Sequence, residues 1–206
     1  MRPVLRAACC LFIVSFQYAF SSDGTLSSGT QGMKASQFPL SVGCRWTYAV
    51  YDSIKKSADT VNVKIVGTTQ LSDGNRATVW QYTYSKSVDT QFVARSRDTV
   101  FFYQSHDVGS LSKILIFPLT VGRRWTTYPP GSMTVSAAER VTAPARRFRN
   151  SYRIAEHPSI GNFYGGTTYW FVANVGMVRM HKKWVDTMAD DRANVIWELL
   201  RFKIVR

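Results

Sequence analysis

The sequence predicts an all-β fold of two duplicated antiparallel β units, arranged as an open or half barrel or a sandwich. Three observations carry this prediction. From residue 38 onward, apolar and polar residues alternate along most of the chain, the period of a half-buried strand. Dipeptides that favour tight connections, such as Asp73-Gly74, separate these runs. One eleven-residue phrase is written twice, as FPLSVGCRWTY (38–48) and FPLTVGRRWTT (117–127), with eight identical positions.

The first 21 residues read as a secretory signal peptide. Arg2 and Arg6 precede an apolar run at 7–20, and small residues flank Phe20 at its exit. The run is about fourteen residues, shorter than the ~20 of a spanning helix. Cys9 and Cys10 open that run instead of following it, which argues against a lipid-modified cysteine. Once the peptide is removed, Cys44 is the one cysteine left. An internal disulfide and a thiolate metal cluster are thereby excluded. Its place before Arg45-Trp46 suits a packed residue better than an interchain thiol. Residues 22–37 are rich in Ser, Gly and Thr and read as a flexible tether.

The strands follow in order. VNVKIV (61–66) and WQYTY (80–84) flank the Asp73-Gly74 turn, and TQFVARS (90–96) and TVFFYQS (99–105) flank Arg97-Asp98. Only 110–115 reads as a helical turn. The runs at 134–142, 150–156, 167–173 and 177–185 continue the pattern, and 194–205 closes the chain. Pro129-Pro130-Gly131 and Gly165-Gly166 punctuate them. The repeated phrases lie 79 residues apart, and FVA at 92–94 recurs at 171–173 with the same offset. Two matches at one offset imply an internal duplication, with unit 1 at 38–116 and unit 2 at 117–206. The total is about eleven strands; two separate β domains are the alternative. In each phrase, Phe38-Pro39 or Phe117-Pro118 is extended. Gly43 or Gly122 then permits a sharp turn, and Trp46 or Trp125 supplies a large core side chain.

These residues resemble a widespread set of uncharacterised bacterial exported proteins and lipoproteins. Members carry a Phe-Pro-Leu-x-Val-Gly-x-x-Trp-x-Tyr opening, a Pro-Ala-Gly-x-Phe-Asp hairpin and a Tyr-Trp-Tyr-Ala-x-x-Val-Gly-Leu-Val closing pair of strands. Pro144, Ala145 and Phe148 match the hairpin, while Tyr169, Trp170, Ala173, Val175, Gly176 and Val178 match the close. Arg146 and Arg149 stand where the family has Gly and Asp, which puts the usual tight turn in question. The resemblance implies an envelope setting and a β-rich fold, and no activity.

Composition adds a strong basic excess of +13. Without Arg2 and Arg6, 24 basic residues face 13 acidic ones, a net charge of about +11. Such a surface attracts polyanions; with export expected, anionic lipid or glycan suits it better than nucleic acid. His106, His157 and His181 lie in separate segments without metal-ligand spacing. No nucleophile elbow occurs, Asp190-Asp191 is a single loop pair, and Gly165-Gly166 lacks a phosphate-loop context. No catalytic, metal or cofactor site is therefore expected. The candidate ligand-binding residues are Arg146, Arg147, Phe148, Arg149, Tyr152 and Arg153, with Lys182, Lys183 and Trp184 as a second cluster. Arginine forks suit phosphate and carboxylate groups, and the aromatics suit lipid or sugar.

The expected function is that of a non-enzymatic exported envelope protein (periplasmic, cell-surface or secreted), peripheral to the membrane at most. It would bind an amphiphilic or anionic ligand, lipid or glycan, on a curved sheet. The alternatives are an envelope module that pairs with a protein partner, and an enzyme whose site is assembled from distant residues. An apolar cavity between the units favours the first reading, and a solid core favours the module.

Overall fold

Alternation along the chain becomes twelve antiparallel strands of one sheet in the computed structural model, which describes residues 31–127, 131–158, 163–186 and 191–206. These residues fall in one compact unit, Gln31–Arg206. The first six strands are β1 (Arg45–Asp52), β2 (Ser57–Gln70), β3 (Arg76–Thr83), β4 (Val88–Ser96), β5 (Thr99–Tyr103) and β6 (Leu111–Ile116). The second six are β7 (Arg124–Thr127), β8 (Gly131–Ala143), β9 (Arg146–Pro158), β10 (Phe163–Val172), β11 (Gly176–Asp186) and β12 (Asp191–Lys203).

Consecutive strands pair as hairpins, except between β6 and β7. The ring turns back on itself where β12 pairs with β1, from Arg45↔Lys203 to Asp52↔Val195. β6 and β7 are thus the two ends of the sheet. A twisted sheet of this many strands curls, and the result is a nearly closed barrel with one seam between the two halves of the chain. At that seam the Trp125 indole donates to the Ile114 carbonyl at 2.9 Å.

Inward positions follow the two-residue period. On β2, Val61, Val63 and Ile65 are buried while Asn62, Lys64 and Val66 are exposed. On β9, Tyr152 and Ile154 face the same interior. A smaller apolar cluster on the opposite face of β4, with Phe92, Ala94 and Tyr103, is joined by Leu71 of the β2–β3 turn. That turn is tied to the β5–β6 connection by Ser72 N–H donating to the His106 carbonyl.

The two repeated phrases build the same corner. Gly43 has φ 91° and donates to the Ile65 carbonyl; Gly122 has φ 89° and donates to the Val135 carbonyl, both at 2.8 Å. A side chain at either would be strained. The first FVA segment lies on β4 and the second ends β10 at Val172, each the fourth strand from its corner. Each corner tryptophan bonds to the other half of the chain, Trp46 Nε1 to the Val175 carbonyl and Trp125 Nε1 to that of Ile114. The corner phenyl rings themselves meet, Phe38 and Phe117 lying 6.0 Å apart. Cys44 is fully buried, its Sγ accepting from Val205 N at 3.2 Å, and is a packed residue as its position implied.

The structure corrects several expectations. The segment 110–115 is not helical but the sixth strand, with a single 3₁₀ turn at Val108–Ser110 before it. The run of Leu111, Ile114, Leu115 and Ile116 hides its alternation, because an edge strand at the seam is apolar on both faces. The described residues form twelve strands, in keeping with the about eleven expected, and the halves are not separate domains. Of the tether expected over 22–37, residues 22–30 lie outside the described residues and 31–37 are docked on the barrel. Met33 and Ala35 are buried, and Met33 forms a β-bridge with Leu119. Their few apolar side chains suffice because the arm's backbone is also paired: Asn174 N donates to the Gln37 carbonyl, and Tyr152 OH to that of Gln31. The turn doubted at Arg146 forms without glycine, with Pro144-Ala145 as its two residues and Ala145 N anchored on the Leu199 carbonyl. The signal peptide, the Pro129-Pro130 turn and Asp190 lie outside the described residues.

Candidate functional site

The barrel is not filled. A cavity of about 390 Å³ lies between the two halves, within the ~300–1,000 Å³ usual for small-molecule sites. Its inner end is closed by Phe38, whose ring lies 6.0–6.1 Å from those of Trp80, Phe102, Phe117 and Phe171. The N-terminal arm thus forms the floor. Trp46 stacks on Trp80 at 5.1 Å beside it. Towards the mouth stand Tyr48, Tyr82, Tyr84 and Trp197, with Asp89 and Gln104 exposed at the rim.

Strand periodicity explains this wall. Trp80, Tyr82 and Tyr84 are alternate residues, and all three line the cavity. Trp46 and Tyr48 do the same from β1, opposite Val63 and Val61. The tyrosine hydroxyls are already engaged: Tyr48 OH donates to the Met177 carbonyl at 2.9 Å, and Tyr82 OH to Gln91 Oε1 at 3.1 Å. Burial, with a smaller contribution from neighbouring tyrosines, raises the pKa of both. They stay neutral and line the cavity.

A basic group stands in this largely apolar wall. Lys113 projects inward from β6, opposite Phe102 in the β5–β6 ladder. It crosses the interior to β9 and β10, where its Nζ bonds to Tyr169 OH and lies 3.7 Å from Glu156 Oε2. Tyr169 OH donates to the same Glu156 oxygen at 2.6 Å. Desolvation lowers the Lys113 pKa, and the nearby Glu156 carboxylate opposes that shift. Burial first, and then Glu156, raises the pKa of Tyr169. The group is a Lys⁺–Tyr–Glu⁻ chain spanning the seam side of the barrel, where β6 has no ladder to β7.

Of the residues proposed from sequence, Arg146, Arg147, Phe148, Arg149 and Tyr152 line one depression of about 390 Å³ beside the N-terminal arm, while the Lys182–Trp184 cluster lies elsewhere. Lys183 pairs with Gly166, and Lys182 with Thr167 at the level of Glu156. Arg146–Arg149 lies beyond the Tyr152–Phe171 pair, at the other end of β9. Phe148 and Tyr152 are turned inward by the strand alternation and are largely buried, and what they keep exposed borders that depression. Arg146 lies over the Phe148 and Phe202 rings at 5.0 and 5.1 Å. Arg153 is held by Glu139 at 3.6 Å and by Ser136. Lys182 sits over the Trp184 ring at 5.3 Å. Arg147 and Arg149 also stand, with Arg140 of β8, as an exposed trio around a second surface depression. Arg140 was not among the sequence candidates; pairing of β8 with β9 brings it there.

Other sequence candidates have structural explanations. His106 packs on Phe92 with ring centres 4.1 Å apart, and His181 Nε2 contacts Asn194 Oδ1 at 2.7 Å. Gly165 and Gly166 lie where β9, β10 and β11 crowd together. A Cβ would meet the Lys183 carbonyl at the first and the Glu156 carbonyl at the second.

No known family and no curated protein matches the chain. Two solved structures are similar to it. One is a Parabacteroides distasonis protein assigned as a lipoprotein, 16% identical, covering 84% of this chain and 99% of its own, with a TM-score of 0.46. The other is a Bacteroides fragilis protein assigned as exported, with a YmcC-like fold, 13% identical over the same shares, also at 0.46. These likenesses concern overall chain arrangement and say nothing of a ligand or an activity.

Proposed function

We propose that this is a non-enzymatic exported protein whose barrel holds an amphiphilic molecule, a lipid or a glycan bearing an apolar group. The observation that supports it is the aromatic cavity between the halves. Packing normally leaves few voids larger than a water molecule, whereas this one is large, open at a polar rim and lined by rings. Ligand sites share that construction, a mostly apolar wall with a few placed polar groups. The test is native mass spectrometry of protein purified without detergent stripping. A retained mass that exchanges with added lipid is expected; a clean ligand-free mass after mild extraction, with no uptake of added lipid or lipid-linked glycan, overturns the reading. The alternative, an envelope module that binds a protein partner along a sheet edge, draws on the strand edges of β6 and β7 at the seam.

A further inference from the structure

Among the described residues, Lys113 is the one lysine or arginine on the wall of the cavity. Glu156, its counterion, is not on that wall. Lys113 thus borders the cavity while its carboxylate partner does not. Its side chain keeps 23% exposure, so it is reachable from the cavity.

The bonding around it is incomplete on one side. An ammonium carries three donors. One serves Tyr169 OH. The Glu156 contact at 3.7 Å is an ion pair longer than a charge-assisted hydrogen bond of ~2.7–2.9 Å. Glu156 Oε2 takes its short bond from Tyr169 instead. An oxyanion arriving from the cavity can thus come closer to Lys113 than its own counterion does. Gln91 and Ser112, also on the wall, are engaged with each other, with Tyr82 OH and with the Phe102 carbonyl. The buried Tyr48 and Tyr82 hydroxyls already donate elsewhere, and the other charged lining residue, Asp89, is an exposed carboxylate at the rim.

We infer that the cavity selects a monoanionic amphiphile, with a carboxylate-type head on Lys113 and a single apolar chain or ring system lying among Trp46, Trp80, Phe102 and Phe171. This inference rests on the ligand-holding reading above and adds the chemistry of the head. Glu156 then has a defined part: it keeps Lys113 charged in a desolvated place when the cavity is empty, and it competes with the head for the ammonium when the cavity is filled.

The test compares decanoic acid, its methyl ester and decylamine by isothermal titration calorimetry on the intact protein, with no substitution needed. The acid should bind roughly tenfold or more tighter than the ester, the gap set by one charge-assisted hydrogen bond, and the amine weakest of all. Lys113→Met should erase the difference between acid and ester, and Lys113→Arg should keep it. Equal affinities for acid and ester in the unaltered protein overturn the inference while leaving a ligand-holding barrel in place. So does an unchanged acid preference in a folded Lys113→Met protein. Absence of binding by all three compounds also overturns it; only the ligand-free mass described above removes the broader reading.

Discussion

Phe38→Ala tests the docking of the N-terminal arm and the floor of the cavity together. Phe38 is 3% exposed and contacts four other aromatic rings at 6.0–6.1 Å. Burying an aromatic side chain of ~150 Å² at ~25 cal/mol/Å² is worth about 4 kcal/mol, in line with the ~3–5 kcal/mol of measured Phe→Ala truncations. At ~2–4 °C per kcal/mol for a chain of this size, the melting temperature should fall by about 8–16 °C. The assay is equilibrium urea unfolding followed by tryptophan emission, with Trp80 beside the site as reporter. Phe117→Ala supplies the second arm of a double-mutant cycle, because the two rings touch across the halves of the chain. Their coupling should be about 0.5–1.5 kcal/mol. A loss below ~1 kcal/mol for Phe38→Ala would mean that the arm is not part of the cooperative core, and the floor described here would be wrong.

Two more outcomes follow from particular contacts. Replacing Arg140, Arg147 and Arg149 together with Ser should weaken sedimentation with anionic vesicles at low salt and leave the urea midpoint unchanged, since all three are exposed; unaltered vesicle binding would remove this face as an electrostatic contact. Gly166→Ala should cost roughly 1–3 kcal/mol by urea unfolding, because its Cβ meets the Glu156 carbonyl and overpacking of that kind strains the backbone. Gly67→Ala, with open space around it, is the control, and equal effects at the two positions would contradict the crowding of β9 against β10.

Much of the fold was legible because period-two alternation and turn chemistry are local. Val61, Val63 and Ile65 announce a strand with one buried face, and Asp73-Gly74 announces the turn after it. The repeated phrase announces two equivalent corners, and their glycine geometry agrees in φ and in hydrogen bonding. The strand over Leu111–Ile116 was missed because an edge strand lining a seam is apolar on both faces and loses its alternation. The docked arm was missed because its anchoring is largely backbone pairing to Leu119, Asn174 and Tyr152, which composition does not register.

The candidate site was much less legible. The basic run Arg146–Arg153 stood out by charge density, yet alternation turns Phe148 and Tyr152 inward and pairs Arg153 with Glu139. Trp80, Tyr82 and Tyr84 were visible as an aromatic strand, but nothing local says that their rings border empty space.

The sequence by itself determined that the chain is β throughout, where most strands turn, and that two corners are alike. Only the tertiary structure decided that β12 returns to β1, so that the ring closes there and stays open between β6 and β7. That closure is a long-range backbone pairing, and it alone carries Lys113 across to Glu156 and Tyr169, residues 43 and 56 positions away in the chain. A void has no sequence signature, because it is defined by which walls face each other.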